Sequence, residues 1–216
     1  MKLFITSTKH TKGEIKIGGI KYKNFKVEAT KITEVDIPYN MANLGDITRQ
    51  SDTKGIQILV DDADPPIVAY AHIYANARSE ATLLLPVESY GSAYYAMGWK
   101  PTRGTDARFV FNVVAITETT TVNIHMRIDN RPGPIEKVVL NQIGQVYQFV
   151  GEAGKDYTGT YIEADPITSL CKTFALFSGD NLVYIPEGAD TGDPLLQQLY
   201  ATNYWGKTYA YVPFKG

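Results

Sequence analysis

One cysteine, three histidines and no long apolar run mark what this chain of 216 residues does without. The lone thiol, Cys171, excludes an internal disulfide, and its place between Leu170 and Lys172 in a strand-like run predicts a buried, inert side chain. No stretch approaches the roughly 18 apolar residues of a membrane-spanning helix. Residues 1–6 show no apolar core followed by a small-residue cleavage site, so a secretion leader is either absent or removed upstream of this numbering. Charge of one sign is lacking as well: 21 basic against 23 acidic residues leave a net of −2, without the field that gathers nucleic acid or an anionic membrane. The lysines of residues 9–31 are interrupted by acidic residues and strand-like alternation, and read as a solvated sheet face. Helical periodicity is scarce too; only residues 194–201 hint at two turns of helix.

What the sequence does have is alternation of period two. Ile15 and Ile17, Ile20 and Tyr22, Phe25 and Val27, and Val35 and Ile37 alternate with Lys, Glu, Thr or Asn, as half-buried antiparallel strands require. Gly18-Gly19 is a hairpin turn, since glycine accepts the positive φ such turns impose. Residues 38–52 read as a surface loop, residues 56–60, 67–74 and 81–87 as strands, with a turn at 74–78, and residues 91–99 as a strand rich in aromatics. Further on, 109–115 is a strand and 117–120 a turn, and Val122, Ile124, Met126 and Ile128 alternate with Asn123, His125 and Arg127. That pattern puts His125 on a polar face as an isolated surface imidazole. A turn is expected at 130–134, strands at 136–140 and 145–150, and a loop at 151–155.

The two halves repeat one another. Residues 54–74 and 156–179 both read strand, acidic-Pro turn, strand: Gly159 follows Gly55 by 104 positions, Ile162 follows Ile58, and Asp165-Pro166 follows Asp64-Pro65 by 101. Phe109 follows Phe4 by 105, and Trp205-Gly206 leads into Tyr209 much as Tyr90-Gly91 leads into Tyr94. A period near 100 residues suits a duplicated small domain rather than a solenoid. The expected fold is all-β, with two tandem, similar β-sandwich-like units and little or no helix. The first unit covers residues 1–100, a joint 101–107, and the second unit 108–216, with an added acidic loop at 180–193.

Candidate chemistry is sparse. Asp61, Asp62 and Asp64 form an acidic cluster that suits Ca²⁺, but Pro65-Pro66 follows where an EF-hand loop needs its own spacing, and a solvated turn is the plainer reading. No G-x-S-x-G occurs, His10, His72 and His125 flank no nucleophile, and Glu88 with Glu118 carries no sign of a glycosidase pair, so turnover is not expected and no cofactor is required. Fifteen tyrosines are more informative. Their flat apolar faces and polar rims suit sugars and protein interfaces as well as sheet packing. Because Tyr94 and Tyr95 are adjacent on a strand, one of them faces away from the core. The candidate contact residues are Tyr94, Tyr95, Tyr204 and Trp205, with Tyr184 in the added loop.

Several stretches carry a family resemblance. Asp156-Tyr157-Thr158-Gly159-Thr160, Phe177-Ser178-Gly179, Asp193 with Gln197-Gln198-Leu199 and Trp205-Gly206, and earlier Leu84-Leu85-Pro86-Val87 with Gly91 and Tyr94-Tyr95, resemble the N-terminal domain family of IgG-Fc-binding proteins. The resemblance implies an extracellular protein, mucus-associated in animals and surface-displayed or adhesin-like in bacteria, with no catalytic motif to transfer. No residue here indicates IgG itself as the ligand. The expected role is a non-catalytic extracellular or cell-surface module recognising protein or glycan, without nucleic acid or membrane insertion. The alternative is a self-assembling structural subunit of a surface filament or phage virion.

Overall fold

The computed structural model describes residues 1–51, 53–75, 78–101, 106–186 and 188–212. The first half supplies β1 (Lys2–Thr6), β2 (Thr11–Ile17), β3 (Ile20–Val27), β4 (Ile32–Asp36), β5 (Arg49–Ser51), β6 (Ile56–Val60), β7 (Val68–Ala75), β8 (Arg78–Leu84) and β9 (Ala93–Tyr95). The second half supplies β10 (Phe109–Ala115), β11 (Thr120–Ile128), β12 (Arg131–Leu140), β13 (Val146–Val150), β14 (Tyr161–Ala164), β15 (Phe174–Val183) and β16 (Asp193–Gln198). The protein is all-β. Helical structure among the described residues amounts to one short helix, Tyr39–Ala42, and 3₁₀ turns at Val87–Ser89 and Thr202–Tyr204.

Alternation builds four sheets and two cores. Sheet β4-β1-β7-β8 and sheet β3-β2-β6 enclose Leu3, Ile5, Ile15, Phe25, Val27 and Val35. Sheet β16-β15-β10-β13-β5 and sheet β12-β11-β14-β9 enclose a larger core that includes Phe109, Phe111, Ile124, Leu140, Ile162 and Phe174. The two pairing schemes coincide: β10, β13, β15 and β16 neighbour one another as β1, β4, β7 and β8 do, and β11, β12 and β14 as β2, β3 and β6 do. Ile58 lies opposite Ile15 as Ile162 lies opposite Ile124. Phe4 and Phe109, despite their spacing, do not correspond: Phe4 meets His72 while Phe109 is fully buried.

Two strands cross from the first half into the second sandwich. β9 pairs with β14, although the repeat assigns it to the first unit. β5, inside the expected surface loop, pairs with β13. A seam of side chains joins the sandwiches along β8 and β16: the Gln198 N–H donates to Thr82 Oγ1 at 3.0 Å, and Gln198 Oε1 accepts the Leu85 N–H at 2.8 Å. The expected joint at 101–107 falls partly on residues 102–105, and the turn at 74–78 on 76–77, which lie outside the described residues.

Several local expectations change. Gly18 and Gly19 do turn the β2–β3 hairpin, at φ of 57° and 76°. Residues 194–201 begin in strand β16 rather than helix; β16 is an edge strand, where Pro194 withholds no needed ladder donor. The turn expected at 130–134 contracts to Asp129-Asn130, both at positive φ, and β12 runs on through Pro132 and Pro134, which it tolerates because it too is an edge. Cys171 is exposed, in a turn at φ 63°, not buried in a strand. Because β15 extends to Val183, the added excursion narrows to 184–192, of which residue 187 lies outside the described residues.

Candidate functional site

The outer face of the β12-β11-β14-β9 sheet carries a row of aromatic side chains. On β11, Val122, Ile124 and Met126 turn into the core, so Asn123 and His125 turn outward. Register then sets Ile135, His125, Tyr161 and Tyr95 in one row across four strands. Directly paired residues share a face, so the row is continuous. Ring centroids are 5.7 Å apart from His125 to Tyr161, 5.0 Å from Tyr161 to Tyr95, and 5.6 Å from Tyr95 to Trp205, which extends the row beyond the sheet edge. Glu163 anchors its polar side: the Tyr161 hydroxyl donates to Oε2 at 3.1 Å, and His125 Nε2 lies 3.1 Å from Oε1. Burial, and then the Glu163 charge, push the Tyr161 phenol above its ordinary pKa. Trp205 Nε1 donates to the Tyr200 carbonyl at 3.3 Å, and the Tyr204 hydroxyl to the Glu88 carbonyl at 2.7 Å. Such a strip offers flat faces for stacking beside a carboxylate and a hydroxyl rim.

Tyr94 and Tyr95 diverge as strand alternation demands. Tyr95 is outward in the strip, 40% exposed. Tyr94, expected among the contact residues, is 0% exposed and belongs to the core. Its hydroxyl donates to the Phe174 carbonyl at 2.6 Å and accepts the Gly91 N–H at 2.9 Å, and burial pushes the phenol up to about 12. Tyr204 and Trp205 are exposed and lie in or beside the strip. Tyr184 is half-buried, its ring against Gly192 in the β15–β16 connection, apart from the strip. Asp61, Asp62 and Asp64 ring a turn closed by the Asp64 N–H to the Asp61 carbonyl at 2.8 Å. No three His, Cys, Asp or Glu side chains among the described residues stand close enough together to hold a metal ion. Tyr161, Glu163, Tyr200 and Ile135 were not singled out from sequence, and His125 is no isolated imidazole. What unites them is cross-strand register, which one strand's pattern does not carry.

The recurring motifs meet around β9 and its continuation. The Ala96 N–H donates to the Thr160 carbonyl at 2.8 Å, and the Gly159 N–H to the Ala96 carbonyl at 2.9 Å. The Gly98 N–H reaches Thr158 Oγ1 at 3.2 Å, the Met97 N–H reaches Ser178 Oγ at 3.1 Å, and the Trp99 N–H reaches Asp180 Oδ2 at 2.7 Å. Gly179 between them has a packing reason: a Cβ there would fall 1.7 Å from the Leu195 carbonyl oxygen. Burial of Asp180 pushes its carboxyl up to about 7. Residues 156–160 and 177–180 therefore form a cradle for one strand. The family model described as IgGFc binding protein matches residues 80–216, the span that holds both cradle and strand. The chain belongs to the IgGFc binding protein family. The match takes in all of the second sandwich except β5 and leaves most of the first outside it. No curated protein and no solved structure matches the chain. Among the described residues no helix is long and apolar enough to cross a membrane.

Proposed function

We propose that the protein is a non-catalytic binding module of an extracellular or surface-displayed protein, and that it takes a protein partner on the strip formed by His125, Tyr161, Tyr95 and Trp205. The observation that carries the reading is this row of aromatic rings on the open face of a rigid sheet, within the part of the chain that belongs to a family named for protein binding. Tyr and Trp at 40% and 54% exposure present much apolar area at little cost in side-chain entropy, as interface anchors do. Family membership favours this role over the filament or virion subunit.

A glycan is the second ligand class, favoured by the flat Tyr95 and Trp205 faces beside the Tyr161 hydroxyl and the Glu163 carboxylate. The test compares binding to an IgG Fc fragment, the same fragment stripped of its glycan, and a free-glycan array. The Tyr95→Ala/Trp205→Ala variant is expected to bind at least tenfold more weakly with its melting temperature nearly unchanged. Loss of the unaltered chain's signal on deglycosylation, with array binding retained, assigns the strip to glycan. Undiminished binding by the double variant refutes the site, and an unaltered chain that engages none of the three probes excludes Fc and the arrayed glycans as its ligands.

A further inference from the structure

β9 is a strand that the first half hands to the second sandwich, and its segment occurs again after β16. The 3₁₀ turn Val87–Ser89 precedes the first occurrence, and the 3₁₀ turn Thr202–Tyr204 precedes the second. The chain then reads Gly91-Ser92-Ala93-Tyr94-Tyr95-Ala96-Met97-Gly98-Trp99-Lys100 in one case and Gly206-Lys207-Thr208-Tyr209-Ala210-Tyr211-Val212-Pro213-Phe214-Lys215 in the other. Local geometry repeats as well. The Gly91 N–H donates to the Tyr94 hydroxyl at 2.9 Å, and the Gly206 N–H to the Tyr209 hydroxyl at 2.8 Å. Their surroundings are opposite: Tyr94 is 0% exposed and Tyr209 is 76% exposed, and residues 206–212 belong to no sheet.

An acceptor is present on the same chain. β9 docks on β14, and the strand that occupies the place of β14 in the first sandwich is β6. Among the described residues β6 pairs only with β2, so its other edge keeps its backbone donors and acceptors unpaired. The burial agrees. Ile162, flanked by β9, is fully buried, whereas the inward Ile56, Ile58 and Val60 pack on their core yet stay partly exposed. An open edge beside incompletely covered apolar side chains is a template for an added strand.

We propose that residues 206–212 of one chain dock as an additional strand on β6 of a second copy, repeating the β9–β14 pairing between molecules and linking copies head to tail. The β9–β14 register sets Tyr94 opposite Ile162, Tyr95 opposite Tyr161 and Ala93 opposite Glu163. Transferred to the new pair, it sets Tyr209 opposite Ile58, Ala210 opposite Gln57 and Thr208 opposite Leu59. Backbone hydrogen bonds supply the affinity, and the Tyr209 ring, buried as Tyr94 is, supplies the selectivity. Donor and acceptor are different surfaces, so the contact is heterologous and extends into chains unless its rotation closes a ring.

The test is sedimentation equilibrium of the full 216-residue chain over a concentration series. Mass is expected to rise with concentration past the dimer. Deletion of residues 207–216, and Tyr209→Ser in the full chain, are each expected to weaken association at least tenfold without shifting the melting temperature, since Tyr209 packs little in the single chain. A labelled peptide of residues 206–216 is expected to bind the truncated protein, and its Tyr209→Ser version not to. In a Cys171→Ser background, mixing Gln57→Cys chains with Ala210→Cys chains is expected to give a disulfide-linked pair on mild oxidation, because directly opposed strand residues bring their Cβ atoms within bridging distance. A chain that stays monomeric throughout, or association indifferent to Tyr209→Ser, overturns the proposal. A monomeric chain whose truncated form still binds the peptide assigns the segment to its own molecule and overturns the intermolecular contact. Failure of the Gln57–Ala210 cross-link overturns β6 as the acceptor.

Discussion

Tyr94→Phe isolates the part of the fold that secures β9. The substitution keeps the ring, whose centroid lies 4.9 Å from that of Phe174, and removes only the hydroxyl. That hydroxyl bridges two main-chain groups inside the second sandwich, donating to the Phe174 carbonyl at 2.6 Å and accepting the Gly91 N–H at 2.9 Å. Water has no access to a side chain that is 0% exposed, so both groups lose their partner. A buried polar group left unpaired costs about 1–3 kcal/mol, and relaxation recovers part of it for two groups so close together, which gives about 2–4 kcal/mol in total. For a chain of this size that corresponds to a melting-temperature loss of roughly 4–16 °C. Tyr94→Ala, which also opens a cavity beside Phe174, is expected to cost about 3–5 kcal/mol, and Tyr95→Phe, at the exposed neighbour, within about 0.5 kcal/mol. Urea unfolding followed by tryptophan fluorescence gives the free energies. Hydrogen exchange over residues 91–99 shows whether the loss is felt at the strand itself. A Tyr94→Phe protein within about 0.5 kcal/mol of the parent, or one with unchanged protection of residues 91–99, would falsify the claim that this hydroxyl holds the donated strand.

Gly179→Ala is expected to destabilise by about 1–3 kcal/mol or to prevent folding, since its methyl meets the Leu195 carbonyl rather than a movable side chain; soluble yield and melting temperature equal to the parent's count against that packing. Melting should be higher near pH 5.5 than near pH 8: burial raises Asp180 and Glu80 to about 7, the Asp193 charge adding to Glu80, while the unfolded chain ionises both near pH 4, so stability falls as pH rises across that window. Below about pH 4 the trend reverses, because Lys137 and the Thr168 and Ile167 amides hold the Asp165 carboxyl well below the usual range, and its contribution is lost as acid protonates it; a flat profile from about pH 4 to 8 contradicts the burial of the two raised carboxyls. Replacing residues 184–192 with a short Gly-Ser connector should leave both stability and strip-dependent binding near the parent's, as the excursion joins β15 to β16 in the other sheet; lost attachment with intact stability would make it a contact loop after all.

Much of the fold was legible because a half-buried strand prints its period directly. Val122, Ile124 and Met126 announced β11, and Gly18-Gly19 announced the hairpin by a backbone need that few other residues meet. Partnership was harder to read. Nothing in Ala93-Tyr94-Tyr95 distinguishes a strand that stays with its own unit from one that joins the next, because backbone pairing leaves no residue-specific mark. Residues 194–201 looked helical since Leu195, Leu196 and Leu199 are good helix formers, and the ladder with β15 overrode that weak preference. Cys171 was misplaced by its apolar neighbour Leu170, which is itself exposed in the turn before β15. Of the candidate site, Tyr95, Tyr204 and Trp205 were within reach as aromatics at repeated positions. Tyr161 and Glu163 were not, for their roles arise only when β14 lies between β11 and β9.

The hydrogen bonds divide the chain differently from the repeat, and the difference bears on function. By sequence, residues 91–100 close the first copy; by pairing, they complete the second, where residues 158–160, 178 and 180 hold them. A unit cut at residue 108 would lose Tyr95 from its aromatic row and leave β14 as an open edge, while one cut at residue 80 keeps both. The family match begins at that second position, as it should if the unit that is kept together is a sandwich with the strand that closes it. Neither copy alone contains the row: His125 and Tyr161 come from one half, Tyr95 from the other, and Trp205 from the segment that repeats the donor. The candidate binding surface thus draws on both halves of the chain, and whatever secures the donated strand also sets the spacing of the rings a partner would meet.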